Sequence, residues 1–151
     1  MFPILRSVSL VLAFIATTAP AAHVLEMASK LTLDGPLWLA IQQKLYRGWG
    51  PVFGPVEIAC LILAFALFIR SRADRPASNL YLLAMLCYGG MIASFFLFND
   101  PVNAALSHWS ATTLPANWSD YRLKWESGHA IAAALAIVAF MAQLRAWRKS
   151  A

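Results

Sequence analysis

The chain has 151 residues, of which 60% are hydrophobic and 13% are charged, and its formal net charge is +5. Soluble domains carry roughly a quarter of charged residues, so this composition excludes an ordinary soluble globular protein. The positive charge is split among several short segments and is not interleaved with aromatic residues along the chain. A nucleic-acid-binding protein is therefore excluded as well.

Four apolar stretches approach the length of about 17 to 25 residues that a helix needs to cross a bilayer. They predict membrane spans over about residues 4–27, 52–70, 79–98 and 122–145. The connections between these spans are too short for a separate soluble domain. We therefore expect a single all-α membrane domain over residues 1–151, a four-helix transmembrane bundle.

The first predicted span also has the pattern of a secretory signal peptide. Arg6 precedes an apolar run, and Ala19-Pro20-Ala21 offers a cleavage site of small residues. Cleavage would leave an odd number of spans and would separate His23 from its helix. We therefore interpret this segment as a retained span.

Two connections contain patterns typical of short helices. Asp34-Gly35-Pro36 starts the first, because proline is favoured at the first helical position. Asn99-Asp100-Pro101 starts a second helix to about Trp109, residues 112–115 form a loop, and Asn117 or Ser119 can cap the fourth span. Five tryptophans lie in or beside these connections, which suggests a pocket covered by aromatic side chains: Trp38, Trp49, Trp109, Trp118 and Trp125.

The basic residues indicate the orientation, because Lys and Arg near the ends of spans are retained in the cytoplasm. Most of them lie at the two termini and in the connection between the second and third spans: Arg6, Arg70, Arg72, Arg75, Arg145, Arg148 and Lys149. We expect an integral protein of a bacterial inner membrane with both termini in the cytoplasm. Cys60 and Cys87 fall inside spans, where they are expected to be buried thiols and not a disulfide.

Two short motifs mirror each other near the predicted outer ends of the first and last spans. His23-x-x-Glu26 and Glu126-x-x-His129 each place two side chains on one helix face. Helix bundles that bind two metals use such pairs together with single carboxylates from the other helices. The candidate metal ligands are therefore His23, Glu26, Glu57, Asp100, Glu126 and His129.

Three kinds of chemistry fit two histidines and several carboxylates. Imidazole and carboxylate groups suit iron, copper, manganese or zinc, and a metal with open positions would activate dioxygen. Two histidines that face each other across a bundle could also bind haem. Without any cofactor, a His-Glu pair is a general base for an acidic C–H or a phenol, and the resulting carbanion reacts with dioxygen by itself.

Polar motifs also follow one another in a recognisable order. They are His23 to Glu26, Leu33 to Trp38 with Tyr46-Arg47, Asn99 to Asn103, and Asn117-Trp118 with Arg122, Trp125-Glu126 and His129. This order resembles the anthrone-oxygenase-like family of small four-helix membrane proteins, and the resemblance implies oxidation of anthrones to anthraquinones by dioxygen. The positions that match the polar pattern of the family are His23, Glu26, Asn99, Asp100, Asn103, Trp118, Arg122, Glu126 and His129.

We predict a membrane oxidoreductase that acts on a hydrophobic phenolic or anthrone-like substrate in the outer half of the bundle. His23 and His129 would be metal ligands or the base, and Arg122 with Asn103 would hold a developing oxyanion. The alternative is a non-enzymatic membrane protein or complex subunit, whose His and Glu residues form a structural polar network or bind metal or haem. Glu57 would then neutralise an arginine. The expected partners are membrane lipid and a hydrophobic small molecule, with no nucleic acid.

Overall fold

The computed structural model describes residues 2–148, and this part of the chain is helical without any strand. Lys149, one of the predicted cytoplasmic basic residues, lies outside it. The elements are α1 (Phe2–Lys30), α2 (Gly35–Lys44), α3 (Trp49–Arg70), α4 (Arg75–Ser94), a π-helical turn (Phe95–Asn99), α5 (Asp100–Leu106) and α6 (Trp118–Arg148). The predicted all-α class is confirmed.

Four helical stretches are long and apolar enough to cross a membrane, with mean hydropathies from 1.7 to 2.5. They are Pro3–Lys30, Trp49–Arg70, Arg75–Leu106 and Trp118–Arg148. All four predicted spans are therefore present, and they indicate an integral membrane protein. Each is longer than predicted, because helices extend past the apolar run until a turn-forming residue stops them. The side on which the termini lie stays a prediction.

The four spans form a bundle in which α6 packs against α1 and α4, and α3 packs against the same two helices from the other side. The end of the bundle that carries α2 and α5 is called the outer end below. Small side chains allow close approach of helix backbones in a membrane. They fill the middle of this bundle and are fully buried: Ala13, Ala16, Ala64, Ala84, Ala136 and Ala139.

A π-helical turn, Phe95–Asn99, interrupts the third span. The N–H of Asp100 donates to the carbonyl of Phe95, five residues earlier, instead of four as in an α-helix. Pro101 explains the wider turn, because proline lacks an N–H and its ring would clash with the carbonyl one α-helical turn earlier. The turn relieves this conflict without ending the span.

The sequence predicted a separate short helix from Asp100 to about Trp109, whereas α5 continues the third span and ends at Leu106. The π turn contains one residue more than a regular α-helical turn, and Asn99 at its end contacts α6. Asn99 Nδ2 donates to the backbone carbonyl of Trp125 at 2.9 Å. The third span is thereby fastened to α6 at the level of the mirrored motifs.

The short helix predicted from Asp34-Gly35-Pro36 is α2, and it covers the outer end of the bundle. Asp34 caps it by accepting a hydrogen bond from the N–H of Leu37 at 2.8 Å. Trp38 is fully buried in an aromatic and aliphatic cluster that includes Val102 of α5 and Trp125 of α6. This cluster covers His23 and His129, the histidines of the mirrored motifs, at the outer end of the bundle.

Candidate functional site

His23 of α1 and His129 of α6 lie side by side at the outer end of the bundle. Their ring centroids are 4.1 Å apart, with an angle of 41° between the ring planes. The indole of Trp125 contacts both rings, and Tyr46 and Trp49 contact His23. The two mirrored motifs therefore meet, and aromatic side chains surround the imidazole pair.

Lys30, the last residue of α1, places its ammonium in the same site. Its Nζ lies 2.9 Å from Glu126 Oε2, 3.3 Å from His23 Nδ1 and 3.9 Å from Glu26 Oε2. Lys30 is 4% exposed and Glu126 is 1% exposed. The two charges thus form a buried ion pair, and within residues 2–148 no group hydrogen bonds to Glu126 Oε1.

The contact with Lys30 assigns the tautomer of His23. An ammonium group can only donate, so His23 Nδ1 accepts, and the proton of the neutral ring belongs on Nε2. The contacts of His129 are ring contacts with His23 and Trp125, and no described group hydrogen bonds to its nitrogens. A ring nitrogen of His129 is therefore available to accept a hydrogen bond from a ligand.

Tyr46, in the connection between α2 and α3, closes this network from outside. Its hydroxyl donates a hydrogen bond to Glu26 Oε2. Burial raises the pKa of the Tyr46 phenol above its ordinary value, and the hydrogen bond to Glu26 and the nearby carboxylates raise it further. The phenol therefore stays protonated at physiological pH and remains a donor.

We expect the Tyr46→Phe variant to lose about 1 kcal/mol of unfolding free energy, because water can replace the phenol at the half-exposed Glu26. The pKa of Tyr46 is higher in the folded than in the unfolded protein, so its contribution is complete at neutral pH and is lost as the pH rises above about 10. Denaturation at several pH values measures both effects. A variant with the same alkaline decline as the wild type would contradict this assignment.

Two cavities meet at the imidazole pair. The outer cavity, of about 830 Å³, lies below α2 and is lined by polar groups that include Lys44, Arg47 and Asn103. The inner cavity, of about 310 Å³, lies between α1, α3, the third span and α6, and most of its lining is apolar. The residues that line both cavities are His23, Trp49, Gly50, Phe95, Asn99 and His129.

The predicted metal ligands do not form one donor set. Among the residues that the structure describes, no three His, Cys, Asp or Glu side chains could hold a metal ion together. The ammonium of Lys30 lies among His23, Glu26 and Glu126 and pairs with the donors that a metal would need. The two imidazole rings contact each other directly, which leaves no space for a haem between them. These residues do not fit a transition-metal or haem centre.

The two remaining predicted ligands are apart from this cluster. Glu57 lies on α3 in the wall of the inner cavity. Asp100 is exposed at the start of α5 and lines neither cavity. Its position beside Pro101 is explained by the π turn, where its backbone N–H makes the π-type hydrogen bond.

Arg122 does not take the predicted oxyanion-binding position. Its guanidinium donates to the backbone carbonyls of Lys30 at 3.1 Å and Leu33 at 2.8 Å. It also lies over the ring of Trp118, 4.6 Å from the centroid. Arg122 therefore holds the turn that follows α1 and lines neither cavity.

Asn103 does reach the site. Its Oδ1 accepts a hydrogen bond from Trp125 Nε1 at 3.0 Å, which leaves its amide N–H groups available in the lining of the outer cavity. Lys30 and Tyr46 were not predicted to belong to the site. The spacing of His23, Glu26 and Lys30 could have revealed the lysine, because residues at i, i+3 and i+7 share one helix face. The only signal for Tyr46 was its place in the Tyr46-Arg47 motif of the family resemblance.

Comparisons with known proteins bear on this site. The sequence model of a family described as anthrone oxygenase matches residues 43–142, more than half of the chain. The matched part contains Tyr46, Asn99 and the Glu126 to His129 motif, whereas His23 and Lys30 precede it. No curated protein and no solved structure matches the chain. The chain therefore belongs to the anthrone oxygenase family and is an oxygenase-like integral membrane protein.

Proposed function

We propose that this protein catalyses the oxidation of a hydrophobic anthrone or phenol by dioxygen, with the imidazole pair as the base. The observation that carries the proposal is the position of His23 and His129. They lie in contact where the apolar inner cavity meets the outer cavity, whose walls include several polar and charged side chains. A hydrophobic ring can occupy the first cavity while its reacting carbon lies beside a proton acceptor.

The reaction needs a base more than it needs a metal. An anthrone has an acidic methylene group, because its carbanion is delocalised onto the ring carbonyl. His129 accepts the first proton, and the carbanion gives electrons to dioxygen and forms a C–O bond, so that a hydroperoxide results when the proton returns. Removal of the second C–H proton breaks the O–O bond. The carbon becomes a carbonyl, and the other oxygen atom leaves as water.

The charged residues behind the pair support this role. Two carboxylates, Glu26 and Glu126, hold the ammonium of Lys30 beside the imidazole pair. Lys30 also assigns the Nε2 proton to His23, which makes that ring a donor for an oxyanion on the substrate. Asn99 and Asn103 supply further amide groups in the cavity walls.

The test is dioxygen uptake by the purified protein in detergent after addition of anthrone. We expect one dioxygen molecule to be consumed for each quinone that forms. The His129→Ala variant should lose about 10²- to 10⁴-fold in rate, the usual contribution of a positioned base. His108→Ala is the matched control, because His108 is exposed and lines neither cavity.

Each result has a distinct meaning. Retained turnover in the His129→Ala variant would refute the imidazole base, and no uptake by the wild type would refute the oxygenase function. Treatment of the wild type with a metal chelator should leave the rate unchanged. A loss that one transition metal restores would favour the metal hypothesis instead.

A further inference from the structure

The inner cavity contains an ionisable side chain that the proposed reaction does not use. Glu57 lies on α3, and the cavity walls around it are formed mostly by apolar side chains such as Phe53, Ile58 and Met91. A carboxyl group within a membrane span is costly, so such a residue generally has a partner or a task. The surroundings of Glu57 therefore need an explanation.

Glu57 has no hydrogen-bond or ion-pair partner in the part of the chain that the structure describes. None of the ion pairs and side-chain hydrogen bonds among residues 2–148 involves its carboxyl group. An arginine was the predicted partner, but Arg122 is bound to backbone carbonyls and Arg47 lines the outer cavity. The hydrogen-bonding capacity of Glu57 is thus left for an occupant of the inner cavity.

The inner cavity also reaches the lipid-facing surface. Ile58 of α3 and Phe96 of the π turn line it, and they are 53% and 60% exposed within their spans. The π turn packs against α6, α5 and α4, whereas α3 packs against α1 and α4. The wall of the cavity between α3 and the π turn thus reaches the surface, which offers an apolar molecule a route from the bilayer.

We propose that Glu57 selects aromatic substrates that carry a hydroxyl group. The ring system enters the inner cavity from the lipid, its phenolic hydroxyl donates a hydrogen bond to Glu57, and its reacting carbon faces the imidazole pair. The volume of about 310 Å³ lies at the lower end of the range of small-molecule sites, about 300 to 1,000 Å³. A lipid acyl chain would fill the same space but would leave the carboxyl group unpaired.

This inference rests on the proposed function for the identity of the ring system, so its test avoids turnover. The probes are anthraquinone and a monohydroxy derivative whose hydroxyl is remote from the carbonyls, since neither consumes dioxygen. Quenching of tryptophan fluorescence reports binding, because Trp49 lines both cavities. The buffer is slightly acidic, so that the phenol keeps its proton.

We expect Glu57→Leu to reduce the affinity for the hydroxylated probe by about 3- to 10-fold and to leave the affinity for anthraquinone unchanged, as expected for loss of a hydrogen bond to a carboxyl group. Glu57→Gln should keep part of the preference, because its amide oxygen also accepts. Each probe partitions into the detergent to the same extent whichever protein is present, so this effect cancels when the affinities of a variant and the wild type are compared. Asp120→Asn is the control, since this exposed carboxylate lies outside both cavities.

Several outcomes would overturn the inference. These are an equal loss of both probes in Glu57→Leu, an undiminished preference for the hydroxyl, and displacement of both probes from the wild type by phospholipid. Thermal melting shows whether Glu57→Leu is folded, and we expect no loss of stability because the carboxyl has no protein partner. A Glu57-dependent preference in a protein that does not oxidise anthrone would support this inference and contradict the proposed function alone.

Discussion

Replacement of Lys30 with methionine is expected to lower the unfolding free energy by about 3 to 5 kcal/mol, the cost of breaking a buried ion pair by removing one partner. The ammonium lies 2.9 Å from Glu126, and both residues are buried. Methionine has a similar length but leaves the carboxylate without a cation. Turnover should fall as well, because His23 loses the contact that assigns its tautomer. Titration with a denaturing detergent measures the stability.

Two further variants separate the ion pair from general effects of the substitution. Lys30→Met combined with Glu126→Gln should recover most of the stability, because no charge is then left buried without a partner. Lys124→Met removes an exposed lysine from the first turns of α6 and should change stability by less than about 0.5 kcal/mol. A Lys30→Met protein as stable as the wild type would contradict the buried ion pair in the folded protein.

Replacement of Gly128 with valine is expected to cost about 3 kcal/mol, at the upper end of the range for overpacked sites. A Cβ atom at this position would lie 2.7 Å from Phe98 Cβ and 2.9 Å from Asn99 Cγ. Phe98 Cβ is attached directly to the backbone of the π turn and cannot rotate away. The third span would have to move from α6, and His129, in the next position, would lose its alignment with His23.

Gly89 provides the control for this substitution. It lies in α4, and a Cβ atom there would meet nothing within 4 Å. Gly89→Ala should therefore be neutral or stabilise by about 0.5 to 1 kcal/mol, since alanine favours the helix more than glycine does. Thermal melting of both variants checks the pair. Equal stability of the two variants would contradict the close contact at Gly128.

The main features of the fold could be predicted from the sequence because they depend on simple patterns. Apolar length identifies the spans, and Asp34-Gly35-Pro36 identifies the start of α2. The π turn could not be predicted in the same way. Its phenylalanine and leucine residues are typical of any span, and only Pro101 indicates that an α-helix cannot continue undisturbed.

The candidate site was predictable in part. Opposite directions of α1 and α6 bring His23 and His129 to one level, which follows from the mirrored motifs. Lys30 was missed because the first span was predicted to end before it, although a lysine can lie within a helix bundle when a carboxylate neutralises it. The same carboxylates satisfy an ammonium or a metal, so their presence in the sequence cannot distinguish the two. Arg122 donates to backbone carbonyls of the turn that follows α1. The path of this turn could not be predicted, because a turn has no periodic pattern of residues.

The π turn also makes the site sensitive to chain length. One residue more or fewer in a helix rotates everything beyond it by about 100° and shifts it by about 1.5 Å. In the π turn, by contrast, the wider turn takes up one extra residue, so deletion of one residue from Phe95–Asn99 would change which side chains of this segment line both cavities and would bring Pro101 against a backbone carbonyl. Every catalytic side chain would keep its chemical identity while the walls of both cavities changed. The shape of this pocket can therefore be altered by gain or loss of a single residue, independently of substitution at the imidazole pair.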